Sequence, residues 1–248
     1  MPQSSKVRPF DRDAGEGGGY VYTTNHRTSS QIALQRHLDL IAEAVTFEGR
    51  SVLDIGCGDG FSTERFFDEG SPRRMVGLDP APSAIDVATG RRSDPGLHFV
   101  VGDGHRLPWP DDSFDLVLIQ GVLHHDERPV ETIREAFRVA PEVLILEPNG
   151  NNLGLKVIEK ASRYHREHHE RSYPTRRLLR WVEECGGTVV QKRLGGLVPM
   201  FCPDWMAHAA KALEPRVEAS SLLAYLGCAV IVVVARRPKV GRDDADAR

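Results

Sequence analysis

Glycine recurs at every second position in Val52-Leu53-Asp54-Ile55-Gly56-Cys57-Gly58-Asp59-Gly60. An apolar run enters this turn and a helical pattern leaves it. Glycine tolerates φ > 0 and lets the backbone approach a ligand closely, so the ligand rests on the N–H groups at the helix start. Alone, the spacing also describes a tight strand-to-helix turn. Two carboxylates extend it. Asp79, in Gly77-Leu78-Asp79-Pro80, stands about 20 residues further on, where a carboxylate accepts both hydroxyls of a ribose. Asp103, in Gly102-Asp103-Gly104, is placed to accept from an adenine amino group.

A second set of residues could act on whatever lies beside that nucleoside. His124 and His125 follow Gln120-Gly121-Val122-Leu123, and a neutral imidazole can take a proton from a hydroxyl. Equally, they could only shape the floor of a pocket. His165, His168 and His169 fall on one face if their segment is helical. That spacing raises a metal site with Glu170 and His125, but a polar helix lining an acceptor mouth is the reading adopted, with no metal. Residues 156–180 hold eight bases (Lys156, Lys160, Arg163, Arg166, Arg171, Arg176, Arg177 and Arg180) against Glu159, Glu167 and Glu170, a local excess of +5. A solvated helix face explains such a run, and so does an anionic acceptor.

The elements that must position these groups alternate. Short apolar runs at Ser51–Ile55, Met75–Leu78, Leu97–Val101, Phe114–Gln120 and Val143–Glu147 suit strands covered on both faces. Helical patterns fall between them at Phe61–Glu69, Ser83–Arg91 and Val130–Val139, each stopped by Gly or Pro. Strand–helix alternation implies a parallel sheet with right-handed crossovers. A helix from Ser29 precedes the first strand. The second half predicts a helix at Thr175–Cys185, an extended stretch at Thr188–Leu194, two helices at Asp204–Leu213 and Val217–Leu226, and a β run at Ala229–Ala235.

VLDIGCGDG, GLDP, GDGHRLPWPDDSFDLVLIQGVLHH and VLILEPNG, in this order on four successive strand ends, resemble the class I S-adenosylmethionine-dependent methyltransferases. The likeness is greatest to the group containing the ubiquinone/menaquinone and small-molecule enzymes, and it covers roughly residues 29–150. It implies a Rossmann-like, seven-stranded, mostly parallel sheet with helices on both faces. The last strand, Ala229–Ala235, would run antiparallel between the fifth and sixth. A helical insertion or lid would lie over the active site. The usual Pro-Gly-Gly turn before the fifth strand is replaced by Ala140-Pro141-Glu142. S-adenosyl-L-methionine would be held by Asp54, Gly56, Cys57, Gly58 and Gly60, by Asp79 and Pro80, by Asp103 and Gly104, and by Gln120. S-adenosyl-L-homocysteine would be the product. A dinucleotide dehydrogenase is the rival, but its G-x-G-x-x-G spacing does not match Gly56, Gly58 and Gly60.

The resulting division is a flexible lid over 1–28 carrying Tyr22, a methyltransferase domain over 29–238 with acceptor-side insertions at 150–173 and 200–227, and a frayed tail over 239–248. The acceptor is expected to be a small, anionic, sugar- or lipid-linked molecule, methylated on O or N. His124 and His125 would be catalytic, with His165, His168, Arg163 and Arg166 at the acceptor. A nucleic-acid or protein acceptor, or a non-catalytic cofactor-binding protein, is the alternative. The chain carries 35 acidic and 32 basic residues, a formal charge of −3, which gives no whole-molecule nucleic-acid footprint. No Asn/Asp-Pro-Pro-Tyr/Phe motif follows the fourth strand. Nucleic acid is therefore not expected as a partner, and the protein would be a monomer or homodimer. The four cysteines are dispersed, no run of about 18 apolar residues could span a bilayer, and the N-terminus lacks a signal-like apolar stretch. A cytoplasmic protein is expected.

Overall fold

The computed structural model describes residues 11–12, 14–15, 18–156 and 172–238. Seven strands form one sheet: β1 Ser51–Ile55, β2 Arg74–Asp79, β3 Leu97–Val101, β4 Leu116–Gln120, β5 Glu142–Pro148, β6 Thr188–Gly195 and β7 Val230–Arg236. Their order is β3-β2-β1-β4-β5-β7-β6. The pairs from β3 through β5 are parallel, and β7 is antiparallel to both neighbours. From β1 the chain builds outward to β3, then returns to the middle and builds outward again from β4. The carboxyl ends of β1 and β4 therefore open a crevice at the point where the strand order turns back.

The central strands carry no polar alternation because both faces are covered. Leu53, Ile55, Val76, Leu78, Val117, Ile119, Val143 and Ile145 pack on one face with Ile133 and Phe137 of α5 (Pro129–Val139) and Leu178 and Val182 of α6 (Thr175–Glu184). Val52, Met75, Leu116, Leu118, Leu144 and Leu146 face the other side, against Leu38, Leu40 and Ile41 of α2 (Thr28–Ala44) and Phe66 of α3 (Phe61–Gly70). Only β6, at the sheet edge, alternates exposed and half-buried residues. Ahead of α2 lies α1 (Val21–Thr24), and α4 (Pro82–Arg91) joins β2 to β3.

Between β6 and β7 the two expected helices form, with the break between them displaced. α7 runs unbroken from Asp204 to Ala219 with Pro215 inside it, and α8 covers Ser221–Gly227. Proline removes one donor from a helix, and the break comes instead at Ser220, whose Oγ accepts from the Leu223 N–H. α7 is tied to α2 by Arg36, which is 8% exposed and bonds both oxygens of Glu218 (2.9 and 2.6 Å). β7 begins opposite Pro148 and Gly195, so α7 and α8 spring from the carboxyl edge of the sheet, where the insertion was expected.

Candidate functional site

The glycine turn sits at the end of β1. Gly56, Gly58 and Gly60 all have positive φ (74°, 56° and 76°). At Gly58 a Cβ would stand 2.5 Å from the Tyr20 ring, and at Gly56 one would stand 2.3 Å from Val122 Cγ2. Any side chain there is excluded both by conformation and by space. Cys57 differs from its expected role. Its thiol is buried near Gly77, its Sγ donates to the Gly58 carbonyl at 3.7 Å, and burial pushes its pKa well up. Only its backbone can meet a ligand.

Asp54 is fully buried at the end of β1. Its Oδ2 accepts from Thr63 Oγ1 (2.6 Å) and Gln120 Nε2 (3.4 Å), while its Oδ1 has no hydrogen-bond partner. Burial raises its pKa to about 7, against the pull of those two donors. A buried carboxylate oxygen without a donor is a costly arrangement. It fits a ligand that brings a cation or an N–H, so the amino group and sulfonium of S-adenosylmethionine suit it. Asp79 ends β2 and is 7% exposed; its Oδ2 accepts from the Gly58 N–H (2.9 Å) and its Oδ1 from the Ala81 N–H (2.8 Å). It thus ties the turn after β1 to the turn after β2, and burial raises its pKa to about 6. Pro80 beside it is exposed.

Asp103, after β3, is turned toward His105. Its Oδ1 accepts from the His105 N–H (2.9 Å) and lies 2.6 Å from His105 Nδ1, while His105 Nε2 lies 2.7 Å from Asp126 Oδ1. With a carboxylate on each ring nitrogen, His105 is raised in pKa, first by its bond to Asp126. Gly104 packs beside Ile55. This Asp–His–Asp bridge joins the loop after β3 to the loop after β4. It was not read from the sequence, because Asp126 is 21 residues away with nothing in its neighbours to single it out.

The N-terminal segment covers the turn. The Tyr20 N–H donates to Asp59 Oδ2 (3.0 Å), Thr23 Oγ1 donates to the same oxygen, and the Tyr20 ring lies on Gly58 with Ala14, Ala81 and Ala84 nearby. Burial raises the Tyr20 hydroxyl well above its usual range. Tyr22 lies in α1, and its side chain is outside the described residues, as are Arg163, Arg166, His165 and His168.

The turn after β4 carries His124 and His125, with ring centroids 3.8 Å apart. Glu147, near the end of β5, accepts from the N–H groups of Val122, Leu123 and His124 and faces His124 Nδ1 at 2.8 Å. Beyond it, the fully buried Asn149 donates to the carbonyls of Tyr225 (3.0 Å) and Cys228 (2.9 Å), fastening α8 to the same edge. Among the described residues, no group of three or more His, Cys, Asp or Glu side chains could hold a metal, and no helix is long and apolar enough to cross a membrane.

The sheet order, the glycine turn and the acidic residues ending β1 and β2 define a class. Residues 53–143 match the methyltransferase domain family, and the fold and motifs resemble the class I S-adenosylmethionine-dependent methyltransferases. The tRNA U34 carboxymethyltransferase of Aeromonas salmonicida is 29% identical over 212 residues, covering 77% of this chain and 62% of that protein. The chain thus spans less than two thirds of that relative. A Thermotoga maritima methyltransferase superposes with a TM-score of 0.68 at 17% identity, covering 94% of this chain and 99% of its own. A Haloferax volcanii methyltransferase, solved with the Trm112 methyltransferase activator, gives 0.65 at 20% identity, covering 92% and 97%. These two show the fold.

The name shared by the sequence relatives corrects two expectations, the small-molecule acceptor and the exclusion of nucleic acid. Net charge averages over a whole surface and does not exclude a local basic one. The missing Asn/Asp-Pro-Pro-Tyr/Phe motif excludes only one kind of nucleic-acid chemistry.

Proposed function

We propose that the chain transfers an alkyl group from an S-adenosyl sulfonium to a nucleotide of tRNA. The observation that carries this reading is the likeness, over 77% of the chain, to proteins named tRNA U34 carboxymethyltransferase. The carboxyl edge supports it. α6 starts there through the bridge between Asn149 and Tyr173 and exposes Arg176, Arg177 and Arg180. The Arg177 guanidinium lies 5.3 Å from the Tyr173 ring centre and 5.2 Å from that of Trp181. At the opposite flank, Trp205 is 74% exposed and Phe201 42%. Exposed aromatics and stacked arginines suit unstacked bases and phosphates.

When bound, the cofactor supplies an activated carbon on sulfur. Asp54 and the Gly56–Gly60 backbone would hold its methionine part, Asp79 its ribose and Asp103 its adenine. Tyr20 and α1 would close over it and exclude water. A histidine after β4 would take the proton that the acceptor loses on alkylation.

The test is to incubate the purified chain with tRNA and an S-adenosyl sulfonium carrying either a methyl or a carboxymethyl group, then to digest the tRNA and weigh its nucleosides. One nucleoside should gain the mass of the group supplied. Unchanged nucleosides with both donors would overturn the acceptor.

A further inference from the structure

Four strand starts meet at the amino edge of the sheet, opposite the glycine turn. Ser51 opens β1 and pairs in register with Arg74, which opens β2; Gly96 precedes β3 and Ser113 precedes β4. With Arg73 and Pro95 these residues line an open pocket of about 390 Å³. Its lining holds two guanidinium groups and no carboxylate.

Neutral groups aim the half-buried Arg74. Its Nε donates to Ser51 Oγ (3.2 Å), its Nη2 donates to the Ser113 carbonyl (3.3 Å), and its Cζ lies 5.0 Å from the centre of the buried Phe114 ring. Among the described residues no carboxylate pairs with it, and its Nη1 makes no hydrogen bond. Arg73 reaches only Asp115 Oδ2, at 3.5 Å, and that oxygen already accepts from the Ser51 N–H (2.8 Å). The other acids nearby are engaged elsewhere: Asp94 accepts from the Gly96 N–H (2.9 Å) and Arg92 (3.2 Å), and Glu142 from Arg50 (2.5 Å). A cation held on a ring face by neutral partners keeps its charge uncompensated, and its remaining N–H groups are oriented before any ligand arrives.

We propose that this pocket binds a phosphate group, with Arg73 and Arg74 as its charged ligands and the Ser51 hydroxyl as a further donor. One arginine fork satisfies a carboxylate, whereas two guanidinium groups and a hydroxyl from adjacent strand starts suit the several oxygens of a phosphate. The volume exceeds that of a bare phosphate, so the group carries a substituent. It belongs either to a small phosphorylated molecule or to the backbone of the proposed tRNA acceptor, and only the second source rests on the tRNA reading. The pocket lies about 16 Å from the glycine turn, the length of a five-residue strand, so it takes no part in the transfer step.

The nitrogen-15-labelled chain, without cofactor or tRNA, is titrated with inorganic phosphate against sodium chloride of equal ionic strength. The Arg73 and Arg74 Nε–H signals and the Ser51 amide should shift saturably with phosphate, with a midpoint on the order of millimolar. Arg74→Gln should weaken this binding ~10-fold or more. Arg73→Gln, at a side chain 69% exposed, should weaken it without disturbing the fold. Filter binding of tRNA to the same variants identifies the source. A lower affinity and a salt slope flatter by ~1 assign the phosphate to tRNA. Unchanged tRNA binding beside saturable phosphate shifts assigns it to a small phosphorylated molecule. If the unsubstituted chain does not bind tRNA, the acceptor reading fails and the phosphate titration alone decides. Shifts no different from those in chloride, with tRNA binding unaltered in both variants, overturn the proposal and leave Arg74 as a tie between β1, β2 and the loop before β4.

Discussion

Asp54 makes the proposed cofactor site a proton-linked one. Buried with one oxygen lacking a donor and a pKa raised to about 7, it is part protonated near neutrality in the free protein. A raised carboxyl favours the folded state below its unfolded value, and that advantage fades as pH rises through about 7. A cationic ligand reverses the preference, because positive charge stabilises the anion. Cofactor binding near pH 7 should therefore release protons, and affinity should rise with pH through that region. Calorimetry in two buffers of different ionisation enthalpy measures the release. Asp54→Asn should abolish the release and weaken binding by ~10-fold or more. Equal heats in both buffers for the unsubstituted chain would refute the linkage.

At the scale of elements, two polar ties hold the site's walls. The first is the His105 bridge between the loops after β3 and β4, with Thr132 Oγ1 and the Arg128 N–H also donating to Asp126. His105 is raised in pKa, so its stabilisation is complete below the free imidazole value of about 6.5 and is lost as pH rises through the raised one. Burial pushes Asp126 up, but His105, Thr132 and Arg128 outweigh it and hold it low, so its own contribution is lost only in acid. Hydrogen exchange in residues 103–106 and 126–132 should quicken as pH rises past neutrality, beyond the intrinsic rate change, and His105→Ala should remove that excess. The second tie is Arg36 with Glu218, whose side chains are 9% and 10% exposed. Arg36 keeps Glu43 at 2.8 Å when Glu218 is removed, so Glu218→Ala loses hydrogen bonds to a charged group without stranding it and should cost about 1.5–3 kcal/mol, read as a lower urea midpoint. A midpoint unchanged within error would show α7 to be held by packing alone.

Over the whole molecule, an acidic total coexists with a basic carboxyl edge. If tRNA lies across α6, its affinity should fall steeply with salt as counterions are released. Charge reversal at Arg176, Arg177 and Arg180 together should weaken tRNA binding and flatten the salt slope by ~1 for each phosphate no longer neutralised. Cofactor affinity should not change. Filter binding across a salt series checks both, and an unaltered slope would move the acceptor off this helix.

The sequence by itself determined the layered α/β architecture and the glycine turn that ends β1. β1 and β3 have the boundaries their apolar runs predict, and α3 and α5 differ from prediction by one residue. These features are local: strand burial, helix stops and glycine conformation are written in neighbouring residues. The break expected between Leu213 and Val217 is absent, because α7 carries Pro215 through that stretch and packs on α2 and β6. The acceptor was not legible, because net charge and an absent motif describe no surface. Tertiary structure alone decided the rest. Glu147 reads as one acid at the end of an apolar strand, and Asp126 as one acid in a charged loop. Each gains a role only when the sheet brings β4 beside β5, and the loop after β3 beside that after β4, setting carboxylates against imidazoles more than 20 residues distant. Such pairings depend on which strands become neighbours, and strand order is fixed by the burial of the whole sheet rather than by any one segment.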